Sequence, residues 1–289
     1  MRVHHDIIKA EVLDRWEHGG PPRGASTGWP SVDEFYTVNM GQWTLVTGTP
    51  GSGKSEWIDA LMVNLAKREE WRFAIYSPEN WPLAQHHEKI LEKYIGKPFS
   101  KGPTRRMDRD EVEAGEEWMR KIFSFCKPDR PDIMTILDEA ADYTYTAGTQ
   151  WKGGIVVDPW NYLEHHIRPG QTETQYISEV LSAVIDVVRK LNLHLWLVAH
   201  PKIMQKDKNG TYPIPRPYDI SGGAHWWNKS DNCITVWRDQ AQGNQDVDIH
   251  IQKVRFKHTG KIGLASLKYD RVTGRYHEPL QAVQDERYA

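Results

Sequence analysis

A glycine-rich segment near residue 50 places the tightest limit on how this chain folds. Its residues are Gly48-Thr49-Pro50-Gly51-Ser52-Gly53-Lys54-Ser55, which match the pattern G-x-x-x-x-G-K-[ST] at every defined position. The apolar run at 43–47 predicts a buried strand before it, and the apolar spacing in 54–68 predicts a helix after it. Glycines let successive backbone N–H groups turn inward, and a helix N-terminus adds partial positive charge. This order predicts a phosphate-binding loop, whereas a glycine-rich turn without a nucleotide is the plainer alternative.

Two side chains at the end of this loop have predicted roles. Lys54 is expected to reach the β and γ phosphates of ATP or another nucleoside triphosphate. Ser55 is expected to bind the Mg²⁺ ion that accompanies those phosphates. The helix that follows should bury one apolar face, formed by Trp57, Ile58, Leu61, Met62 and Leu65.

The composition limits the class of protein. With 289 residues the chain can hold one large α/β domain with its own core. A formal net charge of −2 excludes a generally basic nucleic-acid binder, so any polyanion other than a nucleotide needs a local cationic patch. No signal peptide is expected in Met1–Glu17, and no stretch approaches the roughly 20 apolar residues that span a bilayer. The two cysteines, Cys126 and Cys233, favour a reducing, intracellular setting. The location we expect is the cytoplasm, of a bacterium or of the host of a phage.

Strands and helices alternate from residue 41 onward, which predicts an α/β fold with a mostly parallel central sheet and helices on both faces. Strands are expected near 43–47, 72–77, 132–136, 153–158 and 193–199. Helices are expected near 54–68, 82–95, 111–125, 138–147 and 174–191. Strands near 232–238, 246–256 and 261–270 are joined by turns and predict antiparallel strands at the C-terminal edge.

A short helix is predicted at residues 4–18, before a Gly-Gly-Pro-Pro break. Ile8, Val12 and Trp16 fall on one side of it at a spacing of four. Because a helix this short is marginal alone, its apolar stripe should pack on its own domain or on a neighbour.

Polar residues follow three of the predicted strands, where open parallel sheets bind their ligands. Asp158 follows an apolar strand and is expected to hold Mg²⁺ through water, although a turn-capping Asp would look the same. Glu79 could orient and deprotonate an attacking water, or it could be a solvated loop charge. His200 could sense the γ-phosphate and relay hydrolysis to the following loop, or it could be structural.

Two cations lie on the strand predicted at 246–256. Lys253 and Arg255 share one face, because strand side chains alternate. A solvated sheet face is the plain interpretation, and a pair of cations offered to the γ-phosphate is the sharper one. Acting on the chain's own nucleotide, such fingers would have to fold back over the site. Acting on a neighbour's nucleotide, they would make the protein work as a ring.

Three pairs of adjacent histidines also occur, namely His4-His5, His86-His87 and His165-His166. Adjacent side chains on a helix or strand diverge, so such a pair is poorly placed to form one metal site. We therefore do not expect these pairs to bind metal.

In this order the motifs resemble the ATPase domain of superfamily-4 replicative helicases, the ring-shaped DnaB and Twinkle types. This family includes the helicase halves of phage primase-helicases. The resemblance covers roughly residues 24–277. Gly24–Asp33 is similar to the family's lead-in to its first strand. Asp219–Ala224 is similar to the segment that ends its second DNA-binding loop.

The remaining motifs carry the roles that this resemblance implies. Ser77-Pro78-Glu79-Asn80 matches the motif with the catalytic glutamate, and Asp158 matches the second acidic motif. His200 matches the γ-phosphate sensor. Lys253-Val254-Arg255, with Thr259-Gly260 just after, is similar to the lysine and arginine fingers.

The resemblance implies a RecA-like P-loop NTPase fold that hydrolyses ATP with Mg²⁺. It also implies a homo-oligomer, a hexamer, around single-stranded DNA, in which the N-terminal helix docks on the adjacent subunit. Loops at about 159–174 and 201–220 would face the channel. The cations available there to contact phosphates are Arg168, Lys202, Lys206, Lys208 and Arg216. Charge confined to a channel fits a weakly acidic protein.

The expected organisation is a linker helix and Gly/Pro break at 1–23, a RecA-like ATPase and helicase domain at 24–280, and a tail at 281–289. With no primase region in the sequence, we expect a bare motor or part of a longer protein, with a primase or another replisome component as a candidate partner. The rival interpretations are a RecA-like recombination or repair ATPase that binds DNA without unwinding it, and a nucleotide-dependent assembly module. A small-molecule kinase is disfavoured, because no acceptor-pocket signature or lid is evident.

Overall fold

Strands and helices alternate along most of the chain in the computed structural model, which describes residues 4–146, 149–150, 152–206, 208, 212–239 and 245–279. The helices are α1 His5–Glu17, α2 Pro30–Asp33, α3 Lys54–Glu69, α4 Leu83–Ile95, α5 Arg109–Ile122, α6 Ile133–Thr144, α7 Glu173–Leu191 and α8 Gly223–Lys229. The strands are β1 Trp43–Thr47, β2 Arg72–Tyr76, β3 Phe123–Phe125, β4 Tyr145–Thr146, β5 Thr149–Gln150, β6 Gly153–Val157, β7 His194–Val198, β8 Asn232–Trp237, β9 Asp246–Val254, β10 Gly263–Tyr269 and β11 Tyr276–His277.

The main sheet has nine strands in the order β11-β10-β9-β8-β1-β7-β6-β2-β3. The six strands from β8 to β3 pair in parallel. The three strands from β9 to β11 pair antiparallel at the other edge. The predicted sheet, mostly parallel with antiparallel C-terminal strands, is confirmed. β1 lies between β7 and β8, so the loop that follows it leaves the middle of the sheet.

Helices cover both faces of the sheet, because successive strand side chains point to opposite sides. Leu45 and Leu195 belong to the core cluster that contains α6 and α7. Val46 and Trp196 belong to the cluster on the other face, which contains α3 and α4. The five apolar α3 side chains expected to face the core are each at most 1% exposed. The core therefore fixes both ends of the loop at 48–55.

Two sequence predictions about this sheet are wrong. Residues 132–136 were expected to be a strand, but α6 begins at Ile133. Asp132 accepts hydrogen bonds from the backbone N–H groups of Met134 (3.0 Å) and Thr135 (3.1 Å), which caps the helix. The helix predicted at 111–125 is also too long, because it ends at Ile122 and β3 follows without a turn. β3 pairs with β2 and forms the far edge of the sheet.

The N-terminal helix α1 has no buried residue. Val12 is 58% exposed and Trp16 is 79% exposed, so the described part of the chain does not cover the stripe expected from the sequence. The division into linker, main domain and tail remains a prediction, and the tail at 281–289 lies outside the described residues. Within the described ranges, no helix has the length and apolar character needed to cross a membrane.

Replacing Gly154 in β6 by alanine should destabilise the fold. A Cβ there would lie 2.3 Å from Trp196 Cζ3 and 3.2 Å from Phe73 Cε1, inside the core. Overpacking of this kind costs about 1–3 kcal/mol, and the loss should appear as a lower denaturant midpoint. The matched control is Gly102→Ala, where a Cβ meets no heavy atom within 4 Å. Equal midpoints for the two variants would contradict this account of the core.

Candidate nucleotide site and a separate pair of cations

The glycine-rich loop connects the end of β1 to the start of α3. Two of its glycines are required by geometry. A Cβ on Gly48 would lie 2.3 Å from the carbonyl oxygen of Val236 in the neighbouring strand β8. Gly53 has a φ of +96°, in the left-handed region, and forms the N-cap of α3. The loop therefore turns tightly and leads directly into a helix N-terminus, the arrangement that favours an anion.

A cavity of about 450 Å³ opens beside this loop. Its lining includes Lys54, Ser55, Glu79 and His200, which come from three different strand ends. The sequence placed a functional residue at each of these ends, and the structure brings them to one cavity.

Lys54 lies almost buried in the loop, with 7% of its surface exposed. Its Nζ donates hydrogen bonds of 3.1 Å to the carbonyl oxygens of Gly48 and Thr49. Burial lowers the pKa of Lys54, and the nearby carboxylates of Asp158 and Glu79 act in the opposite direction. The ammonium is thus held in the loop at the place where the negative oxygens of a phosphate would balance its positive charge.

Asp158 is 3% exposed at the end of β6 and touches the start of α3. Its Oδ2 accepts a 2.5 Å hydrogen bond from Ser55 Oγ, whereas its buried Oδ1 has no hydrogen-bond partner among the described residues. Burial raises the pKa of Asp158 to about 6, although Ser55 and Lys54 favour the ionised form. A hydroxyl beside an unsatisfied buried carboxylate is a ligand set that suits Mg²⁺.

Glu79 is exposed and follows β2 in a turn. The adjacent Asn80 donates to Ser77 Oγ at 2.9 Å and accepts from Lys89 Nζ at 3.1 Å. Lys89 also pairs with Glu56 at 3.2 Å, so the turn is tied to both α3 and α4. This leaves the Glu79 carboxylate at the cavity, where a water could reach it.

His200 follows β7 and is half-buried. Its backbone N–H donates to Asn161 Oδ1 at 2.9 Å. Burial lowers the pKa of His200, and the positive charge of Lys54 lowers it further. The ring is therefore neutral at pH 7 and has both donor and acceptor capacity at the cavity.

Further residues of the cavity were missed by the sequence analysis. Arg238 directly follows β8 and donates to the carbonyl oxygen of Gly51 at 3.2 Å. Asp158 was found because it directly follows a buried strand, and the same criterion would have identified Arg238. Tyr269 and Tyr276 line the cavity with ring centroids 5.1 Å apart, and Tyr276 donates to the carbonyl oxygen of Gly53 at 3.3 Å. They come from the distant C-terminal strands, and no local sequence signal marks them.

Glu56 closes the tyrosine side of the cavity. It pairs with Lys93 at 2.5 Å as well as with Lys89, and Tyr269 donates to it at 3.4 Å. Burial raises the pKa of Glu56, but the two lysines outweigh this effect and leave it below its usual value. This paired carboxylate buttresses the aromatic wall.

Lys253 and Arg255 do not reach this cavity. β9 runs antiparallel to β8, and its residue Val247 lines the cavity. Arg255 follows Val247 by eight residues, which in an extended strand is about 25 Å. The two cations therefore lie near the opposite end of the sheet, at the start of β8. Both donate to the carbonyl oxygen of Ser230, at 2.7 Å from Lys253 Nζ and 2.9 Å from Arg255 Nη2.

The cations expected to contact DNA lie on exposed surface after β6 and β7, which are neighbouring parallel strands. Arg168 forms an ion pair with Glu179. Lys206 Nζ lies 4.9 Å above the Tyr212 ring. The other three are Lys202, Lys208 and Arg216. Both loops therefore leave the same edge of the sheet as the nucleotide cavity.

The histidine pairs point in different directions. His86 is buried, with Nε2 3.0 Å from Asp59 Oδ1, whereas the His87 ring stacks on Phe125 at 4.6 Å. Across the described residues, no group of three or more His, Cys, Asp or Glu side chains forms a metal cluster.

Comparison with known proteins shows what the chain is similar to. No known protein-family profile matches the chain. The Twinkle homolog protein, chloroplastic/mitochondrial, of Arabidopsis thaliana is 42% identical over 279 residues, covering 93% of this chain and 38% of that protein. The chain thus spans well under half the length of this relative.

Solved structures share the fold at lower identity. A solved ATPase domain matches with a TM-score of 0.78 and 14% identity, covering 96% of this chain and all of that one. A DnaB-like replicative helicase, studied with its primase, matches with a TM-score of 0.76 and 15% identity over 93% of this chain and 67% of the other. The RadB recombinase matches less well, with a TM-score of 0.55, 13% identity, and 88% and 99% coverage. The 42% identity to part of a Twinkle homologue and the fold shared with an ATPase domain and a DnaB-like helicase support the resemblance to RecA-like domains of the DnaB/Twinkle type.

Proposed function

We propose that this chain is an ATP-dependent DNA helicase or translocase motor. It hydrolyses ATP with Mg²⁺ at the subunit interfaces of a ring, a hexamer, and moves on single-stranded DNA in replication. The observation that carries this proposal is the separation of Lys253 and Arg255 from the cavity of the same chain. A hydrolytic site assembled from these parts needs two subunits.

One subunit supplies the nucleotide pocket. The backbone N–H groups of residues 48–55 and the Lys54 ammonium bind the phosphates, and Tyr269 and Tyr276 offer a flat surface for the base. Ser55 and Asp158 would hold Mg²⁺, because the unpaired Oδ1 of Asp158 and the Ser55 hydroxyl adjoin. A bound Mg²⁺ would supply positive charge that offsets the negative charge developing on the phosphates.

Glu79 activates the attacking water in this proposal. Its carboxylate accepts a proton from the water while the water oxygen attacks the γ phosphorus and the bond to ADP breaks. Neutral His200 sits at the same cavity and can hydrogen-bond the γ-phosphate. Because His200 lies at the start of the loop at 201–220, loss of that contact can be passed to the loop.

The neighbouring subunit supplies Arg255 and Lys253. Their charge stabilises the equatorial oxygens of the transferring phosphoryl group, as arginine fingers do. The exposed stripe of α1 gives a second contact between subunits, because Val12 and Trp16 stay exposed among the described residues of their own chain. The loops at 159–174 and 201–220 then face the channel, with Arg168, Lys202, Lys206, Lys208 and Arg216 available for DNA phosphates.

Two of the relatives bear on the partner and on the cellular location. The DnaB-like structure was solved as a helicase that interacts with primase, so a primase is our candidate partner. The cytoplasmic location expected from the two cysteines stays a prediction, since the Arabidopsis relative is named for chloroplasts and mitochondria.

Replacing Arg255 by alanine should abolish hydrolysis and spare nucleotide binding. We expect the DNA-stimulated rate to fall by about 10³–10⁵, the usual contribution of such a finger. Affinity for ATP, measured with a fluorescent analogue, should change only a few-fold, because Arg255 is remote from its own cavity.

Mixed rings test whether the finger acts between subunits. Arg255→Ala subunits keep an intact pocket, and Glu79→Gln subunits keep an intact finger. Mixing the two inactive variants should restore part of the turnover at interfaces that combine the intact halves. If no mixture hydrolyses ATP, while each variant still assembles, the shared site is wrong.

Replacing Asp158 by asparagine should stabilise the nucleotide-free protein while removing Mg²⁺-dependent hydrolysis. The folded-state pKa of about 6 lies above the usual 3.8, so the buried carboxylate stabilises the fold below about pH 4 and loses this contribution as pH rises through 6. At pH 7.5 the variant should gain about 1–3 kcal/mol, and the gain should vanish toward pH 4. Asp248→Asn is the control, because Asp248 accepts a hydrogen bond from Ser266 away from the cavity. A less stable Asp158→Asn protein would contradict the orphaned-carboxylate account.

Two measurements separate this motor from its rivals. Strand displacement on a forked substrate distinguishes a helicase from a recombination ATPase that binds DNA without unwinding it. DNA-stimulated turnover rules out an assembly module that only binds nucleotide.

Particle images with ATP and single-stranded DNA should show six-fold rings with density in the channel, and monomers under those conditions would contradict the proposal.

A further inference from the structure

The side chains of Lys253 and Arg255 are held in place by a short helix of their own chain. Lys253 Nζ donates to the carbonyl oxygens of Trp227 and Ser230, and lies 5.6 Å from the Trp227 ring centroid. Arg255 Nη2 donates to the carbonyl oxygens of Asn228, at 2.8 Å, and of Ser230. Both cations therefore meet the C-terminal end of α8.

This end of α8 needs cations. The last carbonyl groups of a helix have no partner inside it, and they carry the negative end of the helix dipole. Trp43 Nε1 donates to the Lys229 carbonyl oxygen at 3.0 Å, and Arg255 and Lys253 take the adjacent carbonyls. The carbonyl oxygens thus receive hydrogen bonds, and the two cations lie at the negative end of the helix dipole.

Asp231 completes the arrangement directly after α8. Its side chain is 2% exposed, and its Oδ1 lies 3.0 Å from Arg255 Nε in an ion pair that is not a hydrogen bond. Its Oδ2 accepts from the backbone N–H of Trp43 in β1 at 3.1 Å, and its carbonyl accepts from the Arg255 N–H at 2.9 Å. The carboxylate is therefore fixed to the central strand of the sheet.

The guanidinium group of Arg255 is held through two of its three nitrogen atoms. Nε and Nη2 make the contacts above, whereas Nη1 makes no hydrogen bond or ion pair with any residue in the described part of the chain. The Arg255 side chain is 36% exposed. The guanidinium is thus oriented before a second subunit arrives, and its Nη1 keeps its N–H groups for another acceptor.

We infer that Asp231 is a positioning residue for Arg255, and that it forms a finger seat together with the carbonyls of Trp227, Asn228 and Ser230. The inference rests on the proposed function, in which Arg255 acts on the neighbour's nucleotide. A finger that is oriented in advance loses less freedom in the transition state, and a misplacement of about 1 Å can cost about 10²-fold in rate.

The finger seat is also connected to the loop expected to contact DNA. α8 begins at Gly223, directly after that loop, and Trp226 Nε1 donates to the Ser221 carbonyl oxygen at 2.7 Å. Lys229 at the other end of α8 contacts Ser178 and Ser182 of α7. A displacement of the loop that moves α8 therefore moves both finger cations.

The test is Asp231→Asn in the full chain, assayed with Mg-ATP and single-stranded DNA. Asparagine can still accept from the Trp43 N–H, but it removes the charge facing Arg255. We expect kcat to fall about ten- to a hundredfold, with KM for ATP changed at most a few-fold. Asp248→Asn, on the strand that carries Lys253, should keep the original rate.

A positioning role predicts that the effect disappears without the finger. In an Arg255→Ala background, Asp231→Asn should cause no further loss of kcat. Mixing Asp231→Asn subunits with Glu79→Gln subunits should restore hydrolysis, because the pocket of the first meets the intact finger of the second. A merely structural role would lower kcat equally in both backgrounds, and the mixture would stay inactive.

A measurement on the unchanged protein guards against a variant that fails to fold. Rotation of the Arg255 guanidinium, followed through Nη resonances identified by their loss in Arg255→Ala, should be slow in the nucleotide-free chain, because Nη2 is held by two carbonyl oxygens. Fast rotation would overturn the seat. If Arg255→Ala lowers turnover but Asp231→Asn does not, the seat alone is wrong. If Arg255→Ala leaves turnover unchanged, the proposed finger fails and the seat fails with it.

Discussion

The direction of the strands decides where each functional group of this chain lies. The parallel strands place the residues after their carboxyl ends together, so Glu79, Asp158 and His200 surround the loop that follows β1. β9 runs the other way, and its far end carries Arg255 to the opposite end of the sheet. About 25 Å of extended backbone separates the two regions. The fold itself therefore divides the proposed hydrolytic site between chains.

Burial makes the nucleotide cavity ready for its ligands at a cost in stability. Lys54 and Asp158 are both nearly buried. Burial lowers the pKa of Lys54 and raises the pKa of Asp158, so it favours the neutral form of each. Their mutual attraction offsets only part of this effect, and one oxygen of Asp158 has no hydrogen-bond partner among the residues that the structure describes. A polyphosphate beside the lysine and a divalent cation beside the carboxylate would supply the missing charges. The free site is therefore electrostatically unfavourable, although the core fixes its backbone.

Sequence reasoning succeeded where one local pattern decided the outcome. The rule that polar residues follow buried strands located Glu79 and His200 at one cavity, with Asp158 buried behind Ser55, and it applied equally to Arg238. It failed at 132–136, where a β-branched apolar run suggested a strand but the cap formed by Asp132 began a helix. Tyr269 and the finger seat at Asp231 were beyond reach, because they depend on contacts between segments far apart in sequence.

The proposed division of the site also describes how neighbouring chains meet. The nucleotide edge and the finger edge of this sheet lie at opposite ends. In the proposed ring, each chain gives its fingers to one neighbour and receives fingers from the other, so the contacts run head to tail. Such heterologous contacts close into rings or continue as filaments. The exposed stripe of α1 offers a further contact, and its docking on a neighbour would restrict the rotation between subunits.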